Sequence, residues 1–359
     1  MMRRLLRVLL WILLAGVVLA GSGCVWMKLS PKPAVMLIRR SGVFAAAPVS
    51  PVGQALLSSG KVVATRDLDY AADGQGNADT RLDAYWLRDA PGPRPTVIWI
   101  HGGGFIDGRK EGLDAYLPQL VAHGYTGIAL EYSKAPESRY PTQVEQVIQA
   151  LAYIQAHAQA LHVDTTRLVL GGDSAGAHIA AQVAMAIVDP AYARSAGLAP
   201  GIEASQLRAV LLFSGTYAFD VTPGAKLSPD MEKFGRLVRW AYLGDKDPDP
   251  AGPARWTNLP NFVDARFPPT LIVAGNGDPL APQSRRMAQA LQGAGVATDW
   301  RYVDGGSGNP QPHEFQFHFE TPQASEILQA TVDWLQRWAR VRPENAAPAA
   351  TPAAQDPSH

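Results

Sequence analysis

The sequence has little of three features that would indicate particular classes of protein: cysteine, net charge and metal-binding patterns. Its single cysteine, Cys24, cannot form a disulfide within the chain. Its 32 basic residues balance its 32 acidic ones, so no excess charge is available to bind nucleic acid non-specifically. His123, His157 and His162 lack metal-ligand spacing, and no cluster of Cys, His and carboxylates indicates a zinc site. We therefore expect a globular protein with neither a nucleic-acid partner nor a metal.

The first 24 residues have the layout of an export signal. Three arginines precede an apolar run over residues 8–20, and small residues follow at 21–23. This arrangement predicts that the chain is exported, to the periplasm or to a membrane.

Cys24 directly follows these small residues, a position that resembles the lipobox of bacterial lipoproteins, where the thiol is lipidated. The departure is Gly21, where that family usually has leucine. Two alternatives stay open: cleavage nearby without lipidation, or an uncleaved anchor over residues 8–27, which is long enough to span a bilayer. Lipidation or an anchor would attach the chain to a membrane through its N-terminus.

Short apolar runs alternate with helical patterns through most of the chain. This alternation predicts an α/β fold with a mostly parallel eight-stranded sheet and helices on both faces. The predicted strands cover 61–70, 81–87, 96–100, 126–130, 167–170, 209–213, 270–274 and 300–303, and the first two form a hairpin.

The same pattern divides the chain into parts. Residues 25–60 are expected to form a helical lead-in, a candidate part of a cap, and 61–341 the main domain. The aromatic-rich stretch 216–267 interrupts the alternation and is interpreted as a cap insertion, while the Ala- and Pro-rich tail 342–359 is expected to be disordered. Thr142 with Glu145 predicts a capping box, and Thr321 the start of the last helix.

The motif G-x-S-x-G occurs between a predicted strand and a predicted helix, as Gly172-Asp173-Ser174-Ala175-Gly176. This context is that of a nucleophile elbow, in which a sharp turn exposes the serine hydroxyl and the flanking glycines avoid collisions with the backbone. The motif predicts Ser174 as a nucleophile, with Asp173 in a structural role.

A second motif, His101-Gly102-Gly103-Gly104-Phe105, directly follows the strand over 96–100. Consecutive glycines leave their backbone N–H groups accessible. Together with the Ala175 amide they are suited to an oxyanion hole, where each donor typically contributes a few kcal/mol.

A serine nucleophile needs a base, and the base needs an orienting carboxylate. Asp278 follows the strand over 270–274 and is preferred over the rival carboxylates Asp299 and Asp304. His313 follows the last strand and is preferred over His318, because an extended segment would point the two histidines in opposite directions. His178, one helical turn after the serine, is interpreted as a packing residue.

These motifs together resemble those of the hormone-sensitive-lipase-like esterases, the bacterial family IV with a GDSAG elbow. Further matches over roughly residues 96–338 are Tyr132 with Ala135-Pro136-Glu137, Asp278-Pro279-Leu280 and His313-Glu314-Phe315. Lys134 stands where this family usually has leucine, and Glu314 where it usually has glycine.

The resemblance implies an α/β-hydrolase fold with a cap and a Ser174–Asp278–His313 triad. It implies amides of Gly103, Gly104 and Ala175 as oxyanion donors, with His101, Gly102, Gly172 and Gly176 supporting them. It also implies short-chain acyl esters as small-molecule substrates, and neither a metal nor an organic cofactor.

Two other functions are compatible with these motifs. An amidase such as an arylformamidase has a similar serine elbow, and activity on aryl formamides would distinguish it. A ligand-binding protein on the same fold is the other, but such proteins typically lack a triad residue, and all three candidates are present here.

Overall fold

In the computed structural model of this protein, eight strands among the described residues form a single twisted sheet. The structure describes residues 26, 28–44, 50–71, 74, 76–90, 92–219 and 227–340. The expected export signal with Cys24 and the expected tail 342–359 lie outside the described residues. Within the described ranges, no helix has both the length and the apolar character needed to cross a membrane.

The sheet has the order β1-β2-β4-β3-β5-β6-β7-β8. The strand β2 is antiparallel to both β1 and β4, and all later pairs are parallel. The strands are β1 (Val62–Asp69), β2 (Arg81–Leu87), β3 (Arg94–Ile100), β4 (Thr126–Leu130), β5 (Val163–Asp173), β6 (Leu207–Phe213), β7 (Thr270–Gly275) and β8 (Thr298–Val303). The predicted α/β fold with a mostly parallel eight-stranded sheet is thus confirmed.

Helices cover both faces of this sheet. They are α1 (Lys32–Ser41), α2 (Pro51–Ser58), α3 (Leu117–Ala122), α4 (Thr142–Ala156), α5 (Ala175–Val188), α6 (Pro190–Ala196), α7 (Pro229–Leu243), α8 (Ala281–Gly293) and α9 (Pro322–Trp338). The helix α7 lies in the stretch 216–267, and α1 and α2 lie in the lead-in 25–60.

The continuous apolar runs of the central strands follow from burial on two faces. Every residue of β3 is buried. Ile98 and Ile100 pack into one hydrophobic core, and Val97 and Trp99 pack into a second core on the opposite face. Because alternate residues of a strand point to opposite faces, a strand covered on both sides needs apolar residues at every position.

The prediction for the start of α4 is wrong. Thr142 is already the first helical residue, Pro141 precedes it, and no side chain caps the helix. The Pro141 carbonyl accepts hydrogen bonds from the Val144 and Glu145 amides, so the first turn closes one residue earlier than expected. At α9, by contrast, the Thr321 hydroxyl caps the helix and accepts a hydrogen bond from the Ala324 amide at 3.2 Å.

Candidate active site

Ser174 lies in the sharp turn between β5 and α5, with φ 50° and ψ −117°. Close packing of the backbone around the turn explains its glycines. A Cβ on Gly172 would lie 2.5 Å from the Gly176 carbonyl, and a Cβ on Gly176 would lie 2.0 Å from the Ile100 oxygen. Glycine at both positions therefore permits the turn that presents the Ser174 hydroxyl beyond the end of the sheet.

His313 bridges Ser174 and Asp278. Its Nε2 lies 3.1 Å from Ser174 Oγ, and its Nδ1 lies 2.9 Å from Asp278 Oδ1. Asp278 is buried and also accepts a hydrogen bond from the Leu280 amide at 2.8 Å. The structure therefore brings the three predicted residues together in the order and spacing of a serine–histidine–carboxylate triad.

Two residues outside the motifs hold the loops that carry Asp278 and His313. Asn276 Oδ1 accepts a hydrogen bond from the Gln311 amide at 2.7 Å, and the Gln311 carbonyl accepts one from the Gly277 amide at 2.8 Å. The sequence analysis missed this link, because it joins two irregular loops that no periodic pattern connects.

The rival residues lie elsewhere. Asp299 forms an ion pair with Arg301 within β8. Asp304 accepts a hydrogen bond from the side-chain amide of Asn276. The condition that the segment after His313 is extended does not hold, since residues Phe315–Phe317 form a short 3-10 helix. His318 ends that helix, and its carbonyl accepts a hydrogen bond from the Thr321 hydroxyl.

The charges around His313 favour its protonated form. Burial lowers the pKa of His313, but the hydrogen bond with Asp278 and the negative charges of Glu314 and Asp278 outweigh it and raise the pKa to about 9. His178, by contrast, is fully buried, and burial lowers its pKa to about 4. A neutral His178, whose Nδ1 lies 3.1 Å from the Thr216 carbonyl, is a packing residue and not a base.

The glycine loop after β3 lies beside the serine turn. Gly103 and Gly104 have φ of 112° and 61°, and the Gly103 carbonyl accepts hydrogen bonds from the Ile106 and Asp107 amides. The amides of Gly103, Gly104 and Ala175 have no acceptor among the described residues. They are thus available as donors to a developing oxyanion.

Contacts with Tyr132 and Glu131 hold His101, the residue at which the glycine loop begins, in place. Its ring stacks on Tyr132 with centroids 4.4 Å apart, and the Tyr132 hydroxyl donates to the His101 carbonyl at 3.0 Å. On the far side, His101 Nε2 lies 2.9 Å from Glu131 Oε1, which also forms an ion pair with Lys134. Burial raises the pKa of Glu131, but the neighbouring His101 and Lys134 hold it well below its usual range.

An aromatic cluster and helix α7 lie beside the glycine loop. The Phe105 ring stacks on Tyr242, with centroids 3.9 Å apart, and contacts Phe219 at 5.8 Å. A Cβ on Gly104 would lie 3.4 Å from the Phe234 ring, so α7 passes directly over the glycine loop. These side chains limit the space next to the candidate oxyanion donors.

The described residues contain no group of three or more His, Cys, Asp or Glu side chains suited to holding a metal ion. The site contains a nucleophile, a base with its orienting carboxylate, and backbone amides available as hydrogen-bond donors. These are the groups that acyl transfer requires.

Comparison with known proteins agrees with this fold. A family described as the alpha/beta hydrolase fold matches residues 97–316. Esterase LipQ of Mycobacterium tuberculosis is 30% identical over 245 residues, 65% of this chain and 54% of LipQ. Acetyl esterase of Salmonella agona is 28% identical over 228 residues, 60% of this chain and 64% of that protein.

Comparison with solved structures also indicates an α/β-hydrolase fold. Esterase B from Lactobacillus rhamnosis superposes with a TM-score of 0.68 at 22% identity, covering 89% of this chain and 97% of that one. The chain belongs to the α/β-hydrolase family, and its resemblance to the hormone-sensitive-lipase-like esterases is confirmed. It spans a little over half of LipQ and under two thirds of the acetyl esterase.

Proposed function

We propose that this protein is a carboxylic ester hydrolase that acts through a covalent acyl-enzyme on Ser174. The observation that carries this proposal is the pair of contacts of His313, 3.1 Å to Ser174 Oγ and 2.9 Å to Asp278 Oδ1. Relatives named as esterases support the reaction class.

The mechanism follows from the geometry. His313 Nε2 accepts the proton of the Ser174 hydroxyl while Oγ attacks the ester carbonyl, and Asp278 stabilises the resulting imidazolium. The amides of Gly103, Gly104 and Ala175 hold the oxyanion. When the tetrahedral intermediate collapses, the bond to the alcohol breaks and His313 donates its proton to the departing oxygen. Water then attacks the acyl-enzyme by the same route and releases the acid.

We propose esters with short acyl chains, of about two to six carbons, as substrates, as the resemblance to the hormone-sensitive-lipase-like esterases implies. The aromatic cluster of Phe105, Phe219 and Tyr242 and the approach of Phe234 to Gly104 support a confined acyl site. The name of the acetyl esterase relative points the same way.

A fluorophosphonate probe and a panel of esters test this function. The probe should label Ser174, and Ser174→Ala should lose both labelling and hydrolysis while keeping its circular dichroism spectrum. Labelling that persists in Ser174→Ala would contradict the assignment. Faster turnover of aryl formamides than of p-nitrophenyl acetate would favour an amidase, and faster turnover of long-chain triglycerides than of butyrate esters would contradict the size preference.

We further propose that residues 1–24 direct export and that Cys24 is lipidated, which would anchor the enzyme to a membrane. Support comes from the basic, apolar and small-residue order that ends at Cys24. A lipoprotein cysteine carries the two or more acyl chains needed for stable attachment. Mass spectrometry of the mature N-terminus is the test, and an unmodified chain beginning at another residue would rule out lipidation.

A further inference from the structure

Glu314 places a carboxyl group beside the catalytic nitrogen of His313. Its Oε1 lies 3.5 Å from His313 Nε2, the same nitrogen that lies 3.1 Å from Ser174 Oγ. In a serine hydrolase this nitrogen returns the proton to the leaving group. Glu314 therefore lies next to the alcohol part of a bound ester.

The backbone and surroundings of Glu314 hold its carboxyl in this place. The residue has φ 58° and ψ 30°, a left-handed conformation, and its amide donates to the Ser214 hydroxyl at 3.2 Å. A Cβ placed on Gly102 would lie 2.8 Å from Glu314 Oε1 and 3.1 Å from Ser174 Cβ. The carboxyl thus lies between the base and the beginning of the glycine loop.

Glu314 also contacts the carboxyl group of Asp173. Two carboxyl groups in contact cannot readily both be ionised, so the pair shares a proton. Asp173 is only 6% exposed, and burial together with the charge of Glu314 raises its pKa. The Glu314 side chain is 32% exposed, so water solvates a negative charge on Glu314 better than one on Asp173.

Among the ion pairs of the described residues, Glu314 has His313 as a partner but no lysine or arginine. His313 must be neutral when it acts as a base, so at that moment the carboxylate has no cationic partner.

We propose that Glu314 is a specificity-determining residue that favours esters whose alcohol part carries a positive charge, such as quaternary ammonium alcohols, over neutral esters of the same shape. The inference rests on the proposed esterase function and names its substrate class. For opposite charges about 7 Å apart at a partly exposed site, the expected preference is on the order of tenfold in kcat/KM.

Acetylcholine and 3,3-dimethylbutyl acetate provide a matched pair of substrates, since they differ only in a charged nitrogen in place of a carbon. The full-length protein is compared with Glu314→Gln and with Glu314→Gly, because glycine adopts the left-handed conformation without strain. Glu326→Gln is the control, since Glu326 is exposed on α9 and loses the same charge. Ser174 labelling by a fluorophosphonate verifies that each variant has a formed site.

The parent protein and Glu326→Gln should hydrolyse the cationic ester with a kcat/KM about ten times that for the neutral ester, as expected for one partly screened charge pair. In both Glu314 variants this ratio should fall towards one, and salt should reduce the preference of the parent. A ratio near one in the parent, or a ratio that either labelled Glu314 variant leaves unchanged, would overturn the role of Glu314. Absence of hydrolysis of both esters by a labelled parent would instead contradict the proposed function.

Discussion

Asp173 accepts a hydrogen bond from the Gly102 amide at 2.7 Å, across 71 residues of sequence. Its other carboxyl oxygen accepts one from the Trp99 indole, also at 2.7 Å. Asp173, which precedes the nucleophile, therefore links the serine turn to the glycine loop. It fixes the position of the Ser174 hydroxyl relative to the oxyanion donors.

Asp173→Ala should destabilise the protein and slow catalysis. The substitution leaves the buried Trp99 indole N–H and the Gly102 N–H without partners, at about 1–3 kcal/mol each. The free energy of unfolding, from urea denaturation, should fall by roughly 2–6 kcal/mol, and kcat should fall with it as the loop loses its anchor.

The control is Asp333→Ala, which removes a carboxylate exposed on α9 and should change stability by at most about 0.5 kcal/mol. Equal stability of the two variants would show that the Asp173 contacts do not hold the loop.

His313→Ala and His318→Ala should differ sharply. Removing His313 takes away the base that lies 3.1 Å from Ser174 Oγ, so kcat should fall by about three to six orders of magnitude. His318→Ala should stay within roughly tenfold of the parent, since no triad contact is lost. Initial rates with p-nitrophenyl acetate measure both, and the reverse pattern would assign the base to His318.

The strands were predictable because burial on both faces imposes an apolar residue at nearly every position. The limits of β2 and β4 agree with the prediction, whereas β5 begins at Val163 instead of residue 167. Polar side chains at Asp164, Thr165 and Thr166 conceal that extension, since it lies at the end of the sheet where burial is incomplete.

The triad was predictable from the order of motifs, because each candidate follows a recognisable strand. Contacts between loops were not predictable from the sequence. The Asn276–Gln311 link and the proximity of Glu314 to Asp173 depend on how irregular segments fold onto each other. The one sequence signal for the latter was Glu314 itself, at a position where the resembling family has glycine.

The acid limb of the pH profile of kcat/KM, on which activity falls as pH decreases, should have its midpoint at an alkaline pH. His313 must be neutral to accept the serine proton, and its pKa is raised to about 9. Below that pH, kcat/KM should fall about tenfold for each pH unit. A pH profile with a neutral acetate ester measures the midpoint.

Glu314→Gln should move the midpoint of this limb to lower pH, because it removes a negative charge that stabilises the imidazolium. Asp278 and Asp173 also face His313 and remain in the variant. Glu326→Gln should leave the midpoint unchanged. If the midpoint in Glu314→Gln equals that of the parent, Glu314 does not interact with the base.

Two glycines in helices should respond to alanine in opposite ways. In Gly176→Ala, the new Cβ would lie 2.0 Å from the Ile100 oxygen and 2.5 Å from the His101 oxygen, both backbone atoms of β3 and its following loop. Helix α5 would have to move away from β3, so we expect a loss of more than about 3 kcal/mol in the free energy of unfolding.

The matched variant is Gly235→Ala in α7, where the residue is exposed and a Cβ would meet no atom within 4 Å. Alanine there should stabilise the helix by about 0.5–1 kcal/mol, because glycine loses more backbone entropy on folding. Thermal denaturation of both variants is the measurement. A Gly176→Ala protein as stable as the parent would mean that the close approach of α5 to β3 is not required, and that the serine turn tolerates a side chain where the motif has glycine.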